Sequence, residues 1–473
     1  MTKPAGFAKI SRMDIKELKP VLNELVSDME KTVPYASALA MENAGERIVV
    51  MTRESRVEPL DPSRGVVFTV HTGRHFLEYA TGDMTPGGLS RAAKELVKLA
   101  GFSGIGGDAA IDPGQKVEMD YKVEEIIPNA SAGLSEKVNR CTVYRDKLAG
   151  MDSRIVNAVA MYAHVECREL YVNRNKTMYQ DLRRGQGIVQ AVMKEGDDTV
   201  QLHAGDSRQG GYENSKIPAG KFEELVRDCG RILGAPRLKP GLYDCVFSPE
   251  FAGITAHECF GHGTETDMFL KGRSLAAEYM GKRVGSELVN MFDSPSEPGE
   301  AASFFFDHEG QPASRTHIIK DGVLVSGITD LNSATALGCK RTANGRRESY
   351  ERKAYARMTN TFFGPGSDKF EDMVGSIESG YLLTRPSNGM EDPKGWGIQL
   401  EGYMAEEVRG GKLTGKVFTP VIVTGYLPDM LNSISMVGDK AGIFGLGYCG
   451  KGHKEWVKVT DGGPYLKLKA RLG

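Results

Sequence analysis

No uninterrupted apolar run in this 473-residue chain approaches the roughly 20 residues that a membrane span requires. The opening stretch MTKPAGFAKISRMDIKELKP also lacks the apolar core of a signal peptide. These absences predict a cytoplasmic protein with no membrane partner. There is no basic footprint either: 60 Lys and Arg face 62 Asp and Glu, both signs are scattered, and the net charge is −2. Nucleic acid is therefore set aside as a partner. Glycine-rich pieces such as GGLS occur, but the order strand, Gly-rich loop, Lys, Ser/Thr that cradles a nucleotide phosphate does not. No sequence repeat is evident. Cysteine is sparse, with seven residues at irregular spacings, which suits reduced and mostly buried thiols and leaves at least one available as a ligand.

What remains is ordinary globular text. With 40% hydrophobic and 26% charged residues, a chain this long is expected to divide into two or three domains. MDIKELKPVLNELVSDME has leucines at helical spacing, YASALAMEN and ERIVVMTRESRVEPL read as strands, and GVVFTVHTGRHFLEYATGD reads as a hairpin turning at Thr72 and Gly73. TPGGLSRAAKELVKLAG restores a helix capped by Thr85. The glycine-rich stretch 102–115 marks a linker. Beyond it come a helix near Leu134 to Ala149, an antiparallel meander, and the helix AGKFEELVRDCGRILGAP. From RLKPGLYDCVFS onward the text is short strands punctuated by Asp-Gly, Gly-Gly and Gly-Lys turns. The predicted class is α+β. An N-terminal domain with antiparallel strands and helices (1–105) and a central domain packing with it (115–237) precede a mostly β C-terminal domain (238–473) that carries one helix near its start.

That helix holds the densest chemistry. In SPEFAGITAHECFGHGTETD, Ser248 suits an N-cap, Pro249 the first turn and Glu250 the positive end of the helix dipole. HECFGH resembles the His-Glu-x-x-His zinc helix with one residue too many. At about 100° per residue, a five-residue step leaves His262 roughly 140° around a regular helix from His257, too far to share a metal. A π-bulge, or a helix end at Gly261 and Gly263, would bring the imidazoles back together. Glu258 stands where a general base belongs, and Glu265 and Asp267 are placed to accept a ligand imidazole's free N–H. A third protein ligand is required. His308, His317, Cys339, Cys449, His453 and a carboxylate such as Glu265 are the candidates. Cys449 stands out in GIFGLGYCGKGHK, between glycines and beside Lys451, which would favour its thiolate.

Together with NGRRESY (344–350), RMTNTFFGPG (357–366), ISMVGD (434–439) and GYCGK (447–451), the element HECFGHGTETD resembles the TldD/PmbA family of peptidases, and within it the metal-binding TldD branch. The likeness is strong over about 240–451 and weaker before it. It implies a zinc metallopeptidase acting on unfolded or leader-type peptide segments, with zinc on His257, His262 and Cys449 and Glu258 as base. It also implies a dimer, either of identical chains or with a PmbA/TldE-like subunit. Arg346, Arg347 and Arg357 are candidates for binding a peptide carboxylate or an oxyanion, or else form a structural ion-pair network. His453 falls where a further donor near the metal is expected. Two other functions fit the same residues: a non-catalytic regulatory subunit, and zinc hydrolysis of a non-peptide amide or ester.

Overall fold

Alternation of apolar and polar residues drives the first half of the chain into long strands that one sheet collects. In the computed structural model, which describes residues 14–107 and 110–473, YASALAMENAGERIVVM is a single strand, β1 (Tyr35–Met51). The break expected after Asn43 is only a register shift between Asn43 and Gly45, which absorbs the irregularity as a bulge. β2 (Ser55–His71) and β3 (Phe76–Thr81) follow as antiparallel neighbours. After β4 (Val117–Lys122) come β5 (Ile155–Asn173), β6 (Lys176–Glu195) and β7 (Asp198–Gln209).

These seven strands form one sheet in the order β3-β2-β1-β5-β6-β4, with β7 also on β6. β1 pairs antiparallel with β5 from Ser37↔Asn173 to Met51↔Val159, so strands from both sides of the 102–115 stretch lie side by side. β5, β6 and β7 form the expected antiparallel meander, whereas β4 lies parallel to β6. Helices Lys19–Met29 and Pro86–Ser103 cover one part of the sheet through Leu22, Val26, Leu89 and Leu96, packed on Ala36, Val66, Phe68 and Leu170. Helices Leu134–Ala149 and Ala219–Ile232 close a second core over Ile48, Tyr162 and Val189 with Phe222 and Leu225.

The C-terminal half is built on a small closed barrel. Ser379–Glu391 pairs parallel with Gly241–Phe247 and antiparallel with Gly397–Arg409, and Val421–Tyr426 and Leu466–Leu472 complete the ring. Closure removes the free edges that an open sheet would leave. A second sheet beside it runs Val323–Leu324, Thr316–Lys320, Met291–Asp293, Asn360–Phe363, Thr460–Gly463, Gly442–Phe444. The helix Pro249–Ala256 is wedged between barrel and second sheet, with Phe251, Ala252, Gly253, Thr255 and Ala256 all buried. Gly253 permits the wedge: a Cβ there would lie 2.7 Å from the Gly462 backbone nitrogen. Short helices such as Thr266–Leu270 and Leu331–Leu337 supplement the single helix expected in this region. Among the described residues, no helix is long and apolar enough to cross a membrane.

Candidate metal centre

Ser248 caps the helix by accepting a hydrogen bond from the Phe251 amide, with Pro249 in the first turn. The α-helix ends at Ala256, and His257–Gly261 then form a π-helical turn followed by a 3₁₀ turn, His262–Thr264. Of the two ways to reconcile a five-residue spacing with a shared site, the chain takes the π turn. The extra residue brings the rings of His257 and His262 to 5.1 Å between centroids at an angle of 87°. The tight turn needs Gly261, where a Cβ would fall 2.1 Å from Met358 Sδ.

Cys449 meets this pair from a distant hairpin. Strands Tyr448–Lys451 and Glu455–Lys458 pair with Cys449 opposite Val457, and the Cys449 Sγ lies 3.5 Å from His262 Nε2. One donor atom from each of His257, His262 and Cys449 falls within 4.8 Å of the other two. The remaining candidates for a third ligand lie elsewhere. His308 bonds Glu169, His317 bonds Asn290, Cys339 is exposed, and His453 is exposed in the hairpin turn. Glu265 contacts a donor ring without joining the donor cluster: its Oε2 sits 3.4 Å from His262 Nδ1. Asp267 is engaged otherwise, by Lys451 at 2.5 Å and Lys271 at 3.0 Å.

The electrostatics follow from these contacts. Burial opposes charge on Cys449, yet hydrogen bonds from His257 and His262 hold its thiol down at about 4. Lys451, expected to favour the thiolate, instead donates to Glu265 (2.9 Å), Asp267 and the Ala356 carbonyl (3.0 Å). The histidines do that work. Burial alone would lower the His262 imidazole, but Cys449 and Glu265 raise it well above its ordinary value. Glu265 is desolvated too, and Lys451, His262 and Arg357 outweigh that and keep it ionised. His257 is 4% exposed, and its Nδ1 has no partner in the protein.

Glu258 lies beside the cluster, with Oε2 3.9 Å from His262 Nε2 and a side chain one-quarter exposed. Gly389 makes the room, since a Cβ there would meet Glu258 Cγ at 2.7 Å. A second carboxyl, Glu391, was not recognisable in the sequence. It arrives on the barrel strand, accepts from the Gly263 amide at 3.0 Å, and is pushed up to about 8 by burial and by the carboxylates of Glu265 and Glu258. Nothing local in NGMEDPKG signals it. Only the closure of the barrel brings it to the π turn.

The arginines hold backbone. Arg357 donates to the carbonyls of Cys449 (2.6 Å) and Glu455 (3.2 Å), and Arg346 to those of Met358 and Lys458. Arg347 pairs with Glu78 at 2.7 Å, tying this region to β3. Fully buried Asp293 accepts from Asn344, Thr359 and Thr361, joining the NGRRESY and RMTNT segments.

The residues fit a tetrahedral divalent cation: two imidazoles and a thiolate converge, one imidazole nitrogen is orphaned, and a carboxylate orients the other ring. A model of the PmbA/TldA metallopeptidase C-terminal domain matches residues 240–470. The chain is 26% identical over 454 residues to a metalloprotease of Methanothermobacter thermautotrophicus, covering 95% of this chain and 97% of the relative. It is 28% identical over 323 residues to a zinc metalloprotease TldD homolog of Saccharolobus solfataricus, covering 66% of this chain and 70% of the relative. The crystal structure of TldE from Thermococcus kodakarensis shares the fold with a TM-score of 0.74, over 96% of this chain and 99% of that one, at 16% identity.

Proposed function

We propose that the chain, whose residues 240–470 match the PmbA/TldA metallopeptidase C-terminal domain, is a zinc-dependent peptidase of the TldD-like branch of the TldD/PmbA family, acting on unfolded or leader-type peptide segments. The observation that carries this reading is the convergence of His257, His262 and Cys449 to within 4.8 Å. Three protein donors leave a fourth position for water or substrate, as catalytic zinc sites require and closed structural sites do not. Zinc held there supplies Lewis acidity toward a scissile carbonyl and lowers the pKa of water.

The rest of the proposal concerns this chain's own groups. Glu258 takes the proton of the attacking water and returns it to the leaving amine. Glu265 accepts the Nδ1 proton of His262 and so keeps Nε2 turned toward the donor cluster. Arg357 fixes the hairpin that carries Cys449 by binding carbonyls on both of its strands. The peptide approaches extended, adding to the edge strand Gly442–Phe444, which pairs only with Thr460–Gly463 in its sheet. Beside that edge a cavity of about 620 Å³, lined by Ile254, Ile443, Phe444, Tyr403 and Asp461, gives room for side chains.

We further propose that the catalytic chemistry belongs to 238–473, with 1–105 and 115–237 serving as the platform. The chain would work in the cytoplasm, consistent with free thiols at all seven cysteines, as a homodimer or paired with a PmbA/TldE-like subunit. The test is cleavage of an unstructured peptide mixture read by mass spectrometry, with zinc measured on the same sample. Glu258→Gln should keep zinc and lose cleavage. Zinc binding without cleavage by the wild-type chain, alone or with its partner, would favour a regulatory subunit instead.

A further inference from the structure

On the other face of the cysteine hairpin lies a second cavity, of about 210 Å³, between the C-terminal half and strands β1, β5 and β6. Strand alternation puts Tyr448 and its partner Lys458 on this face, opposite to Cys449. Four cationic side chains line it: Arg184 from β6, Arg346, Lys458, and Arg347, whose charge is met by Glu78. We infer that this cavity is a binding site for a compact oxyanion, a carboxylate or a phosphate, held by Lys458 and Arg184.

The charges on the wall do not cancel. The Lys458 ammonium has no hydrogen-bond partner although the residue is 6% exposed; it lies over the Tyr448 ring, 4.4 Å to the centroid, and feels Asp206 and Asp461 only through space. Arg184 Nε is also buried without a partner, and its Nη1 reaches only the Cys167 Sγ at 3.7 Å. Arg346 spends its two terminal nitrogens on backbone carbonyls and is opposed through space by Asp293, which Asn344, Thr359 and Thr361 already occupy.

Each carboxylate on the same wall is already committed. Glu169 binds His308 Nε2 (3.0 Å) and Gln180 Nε2 (2.5 Å). Asp307 accepts the amides of Glu309, Gln311 and Gly345. Glu348 accepts the Trp456 amide at 2.9 Å. Unpaired buried cations are strongly unfavourable, and such positions persist where a ligand supplies the counter-charge. Burial and the neighbouring Arg184 push the Lys458 ammonium down to about 7 against the pull of Asp206 and Asp461, and burial with Arg184 and Arg357 pushes Arg346 down to about 9 against that of Asp293. An anion between them would reverse both effects.

The volume sets the size of the occupant. At about 30 Å³ per water, the space suits a phosphate or the tip of a peptide, not a folded segment. Half-exposed Tyr448 and Trp456 stand at its rim as the route in. The anion chemistry does not depend on the metal centre, so it is tested without hydrolysis.

The experiment is isothermal titration calorimetry on the full, chelator-treated chain at constant ionic strength. Three probes are compared: inorganic phosphate, an N-acetylated dipeptide acid, and the same dipeptide as its C-terminal amide. Saturable one-to-one binding of phosphate or of the acid is expected, weakened at least tenfold by Lys458→Met and by Arg184→Gln. Binding of phosphate alone would identify the free ion as the occupant. Binding of the acid but not the amide would identify a peptide carboxylate. Lys458→Met, which removes an unpaired buried cation, should melt no lower than wild type in anion-free buffer. Absence of saturable binding, binding unchanged in both variants, or a lower melting temperature for Lys458→Met would overturn the proposal.

Discussion

The two faces of one hairpin carry buried polar clusters that differ in what they lack. On the Cys449 face, two imidazoles, a thiol and Glu265 offer lone pairs, and in the protein alone the imidazole protons stand opposite the thiolate. On the Lys458 face, Arg184, Arg346 and Lys458 offer N–H donors, and the carboxylates of Glu169, Asp307 and Glu348 on the cavity wall are hydrogen-bonded elsewhere. One side wants a cation and the other an anion. The difference shows how a binding function can be read from an unbalanced cluster: the sign of the surplus names the ligand, and burial makes the imbalance costly enough to matter.

The largest effect should come from breaking the chemistry of the cation side alone. Glu258→Gln is expected to lower peptide cleavage by roughly 10²–10⁴-fold with zinc content unchanged, as read by product mass spectrometry and metal analysis. Cys449→Ala or His262→Ala should abolish zinc retention outright. For the wild-type chain, chelation should then cost stability by mass action, about 3–4 kcal/mol if zinc had been present at roughly 100–1,000 times its dissociation constant. Neither variant should show that chelator-dependent drop in melting temperature. Both should leave the Lys458 face intact.

Arg357→Leu sharpens the comparison differently, because the guanidinium is 1% exposed and holds both hairpin strands by their carbonyls. Two acceptors would be left buried and unbonded, costing about 2–4 kcal/mol in chemical denaturation, and ligand binding on both faces should weaken together. Gly253→Ala touches only the helix side. With the Gly462 backbone in the way, it should cost about 1–3 kcal/mol and reduce zinc affinity without altering the cavity.

The smallest effect is a pH slope. Lys458 is pushed down to about 7 in the fold, against an ordinary value of 10.5. The unfolded chain therefore binds more protons between those two values, and its stability should rise with pH across that window. Denaturant melts at pH 7 and pH 9.5 should show a shallower rise in Lys458→Met.

How far these clusters were legible in the sequence depends on the range of the interactions. Caps such as Thr85 and Ser248 are local, and both accept the hydrogen bonds expected of them. The spacing of HECFGH required a distorted helix by arithmetic alone, and the π turn His257–Gly261 is that distortion. Glu391, Lys458 and Arg184 were invisible because each sits on a local hairpin that does not announce its target, and packing between distant parts of the chain brings Glu391 to Gly263 and the two cations to one cavity. The parallel docking of β4 on β6 has no local period to announce it. Lys451 was read as a neighbour of Cys449, which it is in sequence. Two apart on one strand, the two side chains share a face, but the long Lys451 side chain carries its ammonium past the thiol to Glu265 and Asp267.

The pairing of β1 with β5 also bears on how the chain is made. At ordinary synthesis rates the ribosome needs roughly 5–20 s to add the hundred or so residues that separate Met51 from Ile155. Once β2 is complete, and until β5 follows, β1 has β2 on one side and nothing on the other. The nascent chain thus presents a long unsatisfied edge, the kind that recruits other strands. Slower elongation between residues 51 and 155 would lengthen that exposure, and a stop before β5 would leave a product prone to aggregate.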